Sequence, residues 1–162
     1  MLAAALAAVL LVACGGSSGA ASSGGSGGGG ITVPAKVLKG QNNATAIFVP
    51  ISIDGHGPFL FAIDTGSSKT VVDAALASRL GLPDEGPVPG GITGVTSTTS
   101  ATRTRLSHSK LGRHELAPDT AVAIRLPEHK AGGDLDGLLG SDELSKYHRV
   151  TIDYAAQTVT FK

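Results

Sequence analysis

The run Phe59-Leu60-Phe61-Ala62-Ile63-Asp64-Thr65-Gly66-Ser67-Ser68 carries an apolar segment straight into a carboxylate and a tight turn. The apolar residues up to Ile63 read as a buried strand, and Thr65-Gly66-Ser67-Ser68 are turn formers through which a strand does not continue. Asp64 therefore falls at a strand end. A carboxylate there gives up much of its hydration, so it must accept hydrogen bonds or share a proton, and either route moves its pKa. Gly66 permits a positive φ or the close approach of another segment, and Thr65 offers a hydroxyl that ties the loop down. Taken alone, the stretch is also an ordinary helix start, with Asp64 or a following serine as cap.

The flanking chain gives this loop a setting. Thr45 to Ile53 alternates apolar and small residues, and Asp54-Gly55-His56-Gly57 is a hairpin signal ahead of the strand from Pro58 to Ile63. His56 falls in the turn as an exposed polar residue. Thr70 to Val72 reads as a short strand, and Asp73 is the N-cap of a helix to Leu80 that Gly81 stops. Between Pro87 and Leu106, Gly90, Gly91, Ile92, Thr93 and Gly94 suit a mobile hairpin tip, and the Thr-rich run suits exposed strands. His108 to Arg125 reads as two strands joined near Pro118-Asp119. Asp119-Thr120-Ala121 is a faint echo of the earlier triplet, with Asp119 a turn residue. Asp136-Gly137-Leu138-Leu139-Gly140 puts an apolar pair and a glycine ahead of a helix from Ser141 to Tyr147. Strands from Val150 to Tyr154 and Thr158 to Phe161 close the chain, with Val150, Ile152 and Tyr154 as one buried face.

Two apolar residues before Asp64-Thr65-Gly66 and Ser67-Ser68 after it resemble the catalytic loop of aspartic proteases, pepsin-like and retropepsin-like. Leu138-Leu139-Gly140 alone is a plain buried strand ending in glycine. Paired with the Asp64 loop, it is similar to the strand that crosses beside that loop in the family, with a helix packed underneath. The resemblance covers about residues 44 to 162. It implies a mainly β, single-lobe retropepsin-like fold: closed, barrel-like sheets, a flap hairpin over bound peptide at residues 90–94, and one or two short helices. No tyrosine lies in the flap segment, so the contact that a flap tyrosine makes in pepsin-like relatives is missing.

The resemblance further implies an aspartic endopeptidase in which Asp64, Thr65 and Gly66 form the catalytic loop, supported by Ser67, Leu138, Leu139 and Gly140. Such a site needs two carboxylates sharing a proton, because like charges about 3 Å apart cannot both ionise. The chain supplies one, so a homodimer with Asp64 and its copy at the two-fold axis is expected. No metal or organic cofactor is required, and the substrate is a peptide or protein. Many retropepsins have alanine where this chain has Ser67. A Ser67 hydroxyl donating to Asp64 would favour the ionised form and an acidic optimum. The alternative is a catalytically silent peptide-binding or envelope-assembly protein of the same fold, for which the Asp64 carboxylate serves no chemical need.

Composition bears on location and partners. Lys and Arg total 13, as do Asp and Glu, so nothing in the overall charge draws the chain to nucleic acid or an anionic membrane. Arg103, Arg105, Lys110 and Arg113 lack interleaved aromatics, and nucleic-acid binding is set aside. Trp is absent, so the core is built from Val, Ile, Leu and Ala. Residues 1–13 are an apolar run too short to cross a bilayer and suited to a signal peptide. Leu11-Val12-Ala13-Cys14 resembles a bacterial lipobox, with Cys14 acylated, although no Lys or Arg precedes the apolar run. Cys14 is the one cysteine, so no internal disulfide and no Cys/His zinc spacing exists. Residues 14–30 are then a lipidated cysteine and a Gly/Ser-rich flexible linker, the linker spanning roughly 20 to 25 Å. Residues 31–162 are one domain held to the cell envelope by the lipid anchor only, or secreted if Cys14 is not acylated.

Overall fold

A computed structural model describes residues 30–39, 45–89, 92–93, 98–99, 101–126 and 135–162 of the chain. Cys14, the apolar run before it, most of the Gly/Ser-rich segment, and Gly90, Gly91 and Gly94 lie outside the described residues.

The central hairpin forms as its sequence dictates. β3 (Thr45–Ile53) and β4 (His56–Ile63) pair antiparallel around Asp54-Gly55. Both turn residues have positive φ, 50° and 79°, the two-residue geometry that matches strand twist. Val49, Ile51, Ile53 and Phe61 point into the core with at most 1% exposure. β5 (Val71–Asp73) leads into α1 (Ala74–Leu80), where Asp73 Oδ1 accepts from the N–H groups of Ala75 and Leu76. Gly81 ends α1 at φ 64°, a left-handed position that favours glycine.

Two strands precede this hairpin that the sequence reading leaves unassigned, β1 (Ile31–Pro34) and β2 (Lys36–Lys39). β2 pairs with β3, and β1 pairs with the last strand of the chain. β6 (Ile92–Thr93) and β7 (Thr98–Thr99) form a small antiparallel sheet of their own. β8 (Thr102–Leu106) then returns to the main sheet.

Residues 108–125 hold three strands rather than two: β9 (Ser109–Leu111), β10 (His114–Leu116) and β11 (Asp119–Ile124). The extra reversal is at Gly112, φ 61°. Asp119 opens β11 instead of sitting in a turn. β12 (Gly137–Leu139) is followed by α2 (Ser141–Leu144), which stops short of Tyr147, and then by β13 (Val150–Asp153) and β14 (Thr158–Phe161). Tyr154 lies past the end of β13 and is 59% exposed, so the expected buried face stops at Ile152.

The large sheet runs β10-β9-β3-β4-β12-β5-β11-β8, with β2 beside β3, and β1-β14-β13 make a separate three-stranded sheet. One core joins them, from Val49, Ile51, Phe61, Val72, Leu76, Leu111 and Leu139 to Val159 and Phe161. Full burial of each such side chain contributes roughly 1.5–3 kcal/mol. In the absence of Trp, the Tyr147 and Phe161 rings pack at 5.1 Å between centroids.

Lys146, just beyond α2, ties that helix to β11. Its Nζ donates to Asp119 Oδ2 at 2.9 Å and to the buried Glu143 at 2.7 Å. The Lys146 hydrogen bond is the main force holding Asp119 below its ordinary 3.8, against the opposing effect of burial. Burial also opposes the charge on Lys146, but its two carboxylate partners together outweigh it and its pKa rises. Burial first and the Glu143 charge second push the Tyr147 phenol up to about 12.

A carboxylate with a depressed folded pKa stabilises the fold above its unfolded pKa, and that contribution is lost as pH falls through the lower folded value. Melting wild type and Asp119→Asn in parallel should therefore show a gap above pH 3.8 that closes on further acidification. A gap independent of pH would mean that the pair contributes nothing through titration. The pair is partly exposed, so the gap should be modest.

Candidate active site

Asp64 follows β4 directly, and the parallel pairing of β4 with β12 places Leu139 beside Ile63. The Asp64 N–H continues that ladder, donating to the Leu139 carbonyl at 3.1 Å. Two further bonds close the loop: Gly66 N–H donates to Asp64 Oδ1 at 2.9 Å and Ser67 N–H to the Asp64 carbonyl at 3.3 Å. This is the local turn that an aspartate forms with the backbone two residues on. Neither use foreseen for Gly66 is seen: its φ is not positive, and no other segment of the chain approaches it. A Cβ on Gly66 would stand 3.2 Å from Asp64 Oδ1. Asp64 remains half-buried, with Thr65 exposed beside it.

The rest of the loop is held from below by the start of α2. Ser141 donates through both its N–H and its hydroxyl to the Ser67 carbonyl, each at 2.8 Å. The Asp142 carboxylate accepts from Thr70 twice, from N–H at 2.9 Å and from Oγ1 at 2.8 Å. Gly140 N–H donates in turn to Thr70 Oγ1 at 3.3 Å. Leu138 and Leu139 fix β12 between β4 and β5, and Gly140 is buried against the Lys69–Thr70 backbone. The structure thus brings Asp64, Thr65, Gly66, Ser67, Leu138, Leu139 and Gly140 together.

One expectation is corrected. The Ser67 hydroxyl does not reach Asp64; it donates to the Lys69 carbonyl at 2.6 Å. Ser67 thereby shapes the loop, and no Ser67 proton is directed at the carboxylate.

Two carboxylates that the sequence reading passed over support the site. Asp136 Oδ2 accepts the Leu60 N–H at 2.8 Å, and the Asp136 carbonyl accepts the Asp73 N–H at 2.8 Å, anchoring the entry to β12. Asp142 is the other. Its position in the first turn of α2 is an ordinary place for an acidic residue, and only the fold reveals Thr70 as its partner. Asp142→Ala should leave two Thr70 donors without their acceptor, at a cost of about 1–3 kcal/mol. Chemical denaturation would measure this, with Asp142→Asn expected to lose less because it keeps one acceptor.

A sequence model described as aspartyl protease matches residues 49–142, more than half of the chain. The chain belongs to the aspartyl protease family. The matched span runs from within β3 to Asp142 and so takes in both the Asp64 loop and the segment that clamps it. Among solved structures, a retropepsin-like aspartic protease from Rickettsia conorii is similar at 18% identity and a TM-score of 0.51, over 82% of this chain and 90% of that one. The retroviral protease-like domain of Ddi1 from Leishmania major matches at 18% identity and a TM-score of 0.49, over 71% and 86% of the two chains. No curated protein matches in sequence. The fold is retropepsin-like, as the sequence reading expected.

Proposed function

We propose that this aspartyl protease is an endopeptidase whose catalytic dyad is Asp64 and the same residue of a second copy. The observation that carries this reading is a single half-buried carboxylate, Asp64, on a loop tied down on both sides by backbone hydrogen bonds. A positioned carboxylate has the rigidity that a general base needs, and one carboxylate is half of what the chemistry requires.

In the assembled site one Asp64 is ionised and takes a proton from a water lying between the pair. The other is protonated and hydrogen-bonds the scissile carbonyl, polarising it toward attack. The Thr65 hydroxyl has no hydrogen-bond partner among the described residues, which leaves it available to the opposite loop. The β6–β7 ribbon supports a flap at Ile92 and Thr93 that covers the peptide and excludes water. The substrate is a peptide or protein. Acylation of Cys14 and the linker after it would hold the domain at a membrane of the cell envelope.

Specific activity on casein or a peptide library should fall on dilution, in step with dissociation seen by sedimentation of the full chain carrying Cys14→Ser. A strictly monomeric protein that still cleaves peptide would sink the shared-dyad reading.

A further inference from the structure

At the turn end of the central hairpin, β3, β9 and β10 lie side by side, with Ser52 opposite Lys110 and Lys110 opposite Glu115. Side chains alternate between the two faces of a strand. Ile51, Ile53, Ser109, Leu111 and Leu116 are buried, so Ser52, Lys110 and Glu115 form one row on the outer face. His108 joins them from just ahead of β9, where its carbonyl accepts the Asp54 N–H at 2.8 Å. These four side chains and Gly55 line a groove of about 430 Å³, a size within the range of small-molecule sites, about 300–1,000 Å³. Gly55 leaves the groove open, since a Cβ built there would meet nothing within 4 Å.

The Gly112 N–H on the Pro50 carbonyl and the Asp54 N–H on the His108 carbonyl set the phase of the β3–β9 ladder. Lys110 therefore turns its backbone bonds toward Ser52, which makes Lys110 and Glu115 a non-hydrogen-bonded pair, the kind whose side chains stand closer. Opposite charges so placed ordinarily join. Here they do not. The ion pairs among the described residues are those of Arg105 with Glu85 and of Lys146 with Asp119 and Glu143. The side chains of Ser52, His108, Lys110 and Glu115 have no hydrogen-bond partner among the described residues. An ammonium and a carboxylate thus face one groove without meeting.

We propose that this groove binds a short peptide with both termini free, its α-carboxylate on Lys110 and His108 and its α-ammonium on Glu115. An inorganic anion would gain Lys110 but be repelled by Glu115, and a simple cation would gain Glu115 but be repelled by Lys110. A zwitterion satisfies both charges and breaks no internal ion pair on entering, while the Ser52 hydroxyl is left for the peptide's amide. Hydrolysis of a peptide bond creates a new carboxylate and a new ammonium, so ligands of this class arise from the family's own chemistry. The site does not rest on the shared-dyad reading. β4 runs eight residues, His56–Ile63, before the chain reaches Asp64, on the order of 25 Å at about 3.3 Å per residue, so a ligand here leaves the catalytic loop open.

The test titrates L-alanyl-L-alanine into the full chain carrying Cys14→Ser, followed by calorimetry or amide chemical shifts. Saturable binding to one site is expected, with a Kd of about 10 mM or lower. N-acetyl-alanyl-alanine, which lacks the ammonium, and alanyl-alanine amide, which lacks the carboxylate, should each bind at least about tenfold more weakly, because each gives up one charge-assisted contact. Lys110→Gln should weaken the parent dipeptide and the acetylated one but not the amide; Glu115→Gln should weaken the parent and the amide but not the acetylated one. Lys110 and Glu115 are exposed, so both variants should melt like wild type, which separates lost binding from lost structure. Equal binding of all three dipeptides, indifference to both substitutions, or no saturation would overturn the proposal. Acetylated dipeptide binding as tightly as the parent would also overturn it, in favour of a plain anion site.

Discussion

Asp64→Asn is expected to reduce peptide cleavage by at least about a thousandfold while leaving the fold and the dimer in place. A carboxamide cannot take a proton from water, and loss of a positioned general base alone costs roughly 10²–10⁴ in rate. The structural cost is small because Asp64 Oδ1 accepts one hydrogen bond, from Gly66 N–H at 2.9 Å, and an asparagine oxygen accepts the same bond. Two amides at a symmetry axis also repel less than two carboxylates sharing one proton. The dimer of Asp64→Asn should therefore be at least as tight as that of wild type near neutral pH. Cleavage assays, thermal melts and sedimentation on one preparation separate these effects. Full activity in Asp64→Asn would move the chemistry to another residue, whereas lost activity with an unfolded chain would say nothing of catalysis and require a second isostere.

The readable parts of the sequence were those whose cause is local. Asp54-Gly55 carries its own turn geometry, Asp73 and Gly81 cap α1 from either end, and the apolar run into Asp64-Thr65-Gly66 announces a strand end. The unreadable parts have causes distant in sequence. β1 is a short strand because Ile31 lies opposite Phe161, and no window around Ile31 contains Phe161. Asp142 looks like a helix-start acid until the fold puts Thr70 beside it. The Ser67 hydroxyl lies two residues from a free carbonyl and three from a carboxylate, and sequence alone does not say which it serves. The Lys69 carbonyl takes that bond. Gly112 is the exception, a turn whose cause is local, a glycine at φ 61° between β9 and β10.

The largest structural effect should come from a single methyl group at Gly140. A Cβ built there would lie 2.4 Å from the Lys69 carbonyl carbon, 2.5 Å from its oxygen and 2.8 Å from the Thr70 nitrogen. All three are backbone atoms, so no side chain can swing aside to make room. Either β12 and α2 retreat from the Asp64 loop or the loop itself shifts. Retreat lengthens the bonds from Ser141 to the Ser67 carbonyl and from Thr70 to Asp142, which are 2.8–2.9 Å in the native arrangement. Shifting the loop pulls Asp64 off the Leu139 carbonyl. Overpacking of this kind costs typically about 1–3 kcal/mol, and broken loop bonds add to it. Gly140→Ala should therefore melt well below wild type and lose most of its activity even where it stays folded, since an error of about 1 Å in a catalytic group can cost roughly a hundredfold. Asp64→Asn should lose activity without the drop in melting temperature, so the pair separates removal of the acid from displacement of its support. A Gly140→Ala protein that melts and cleaves like wild type would mean that the loop is not held against β12 in solution.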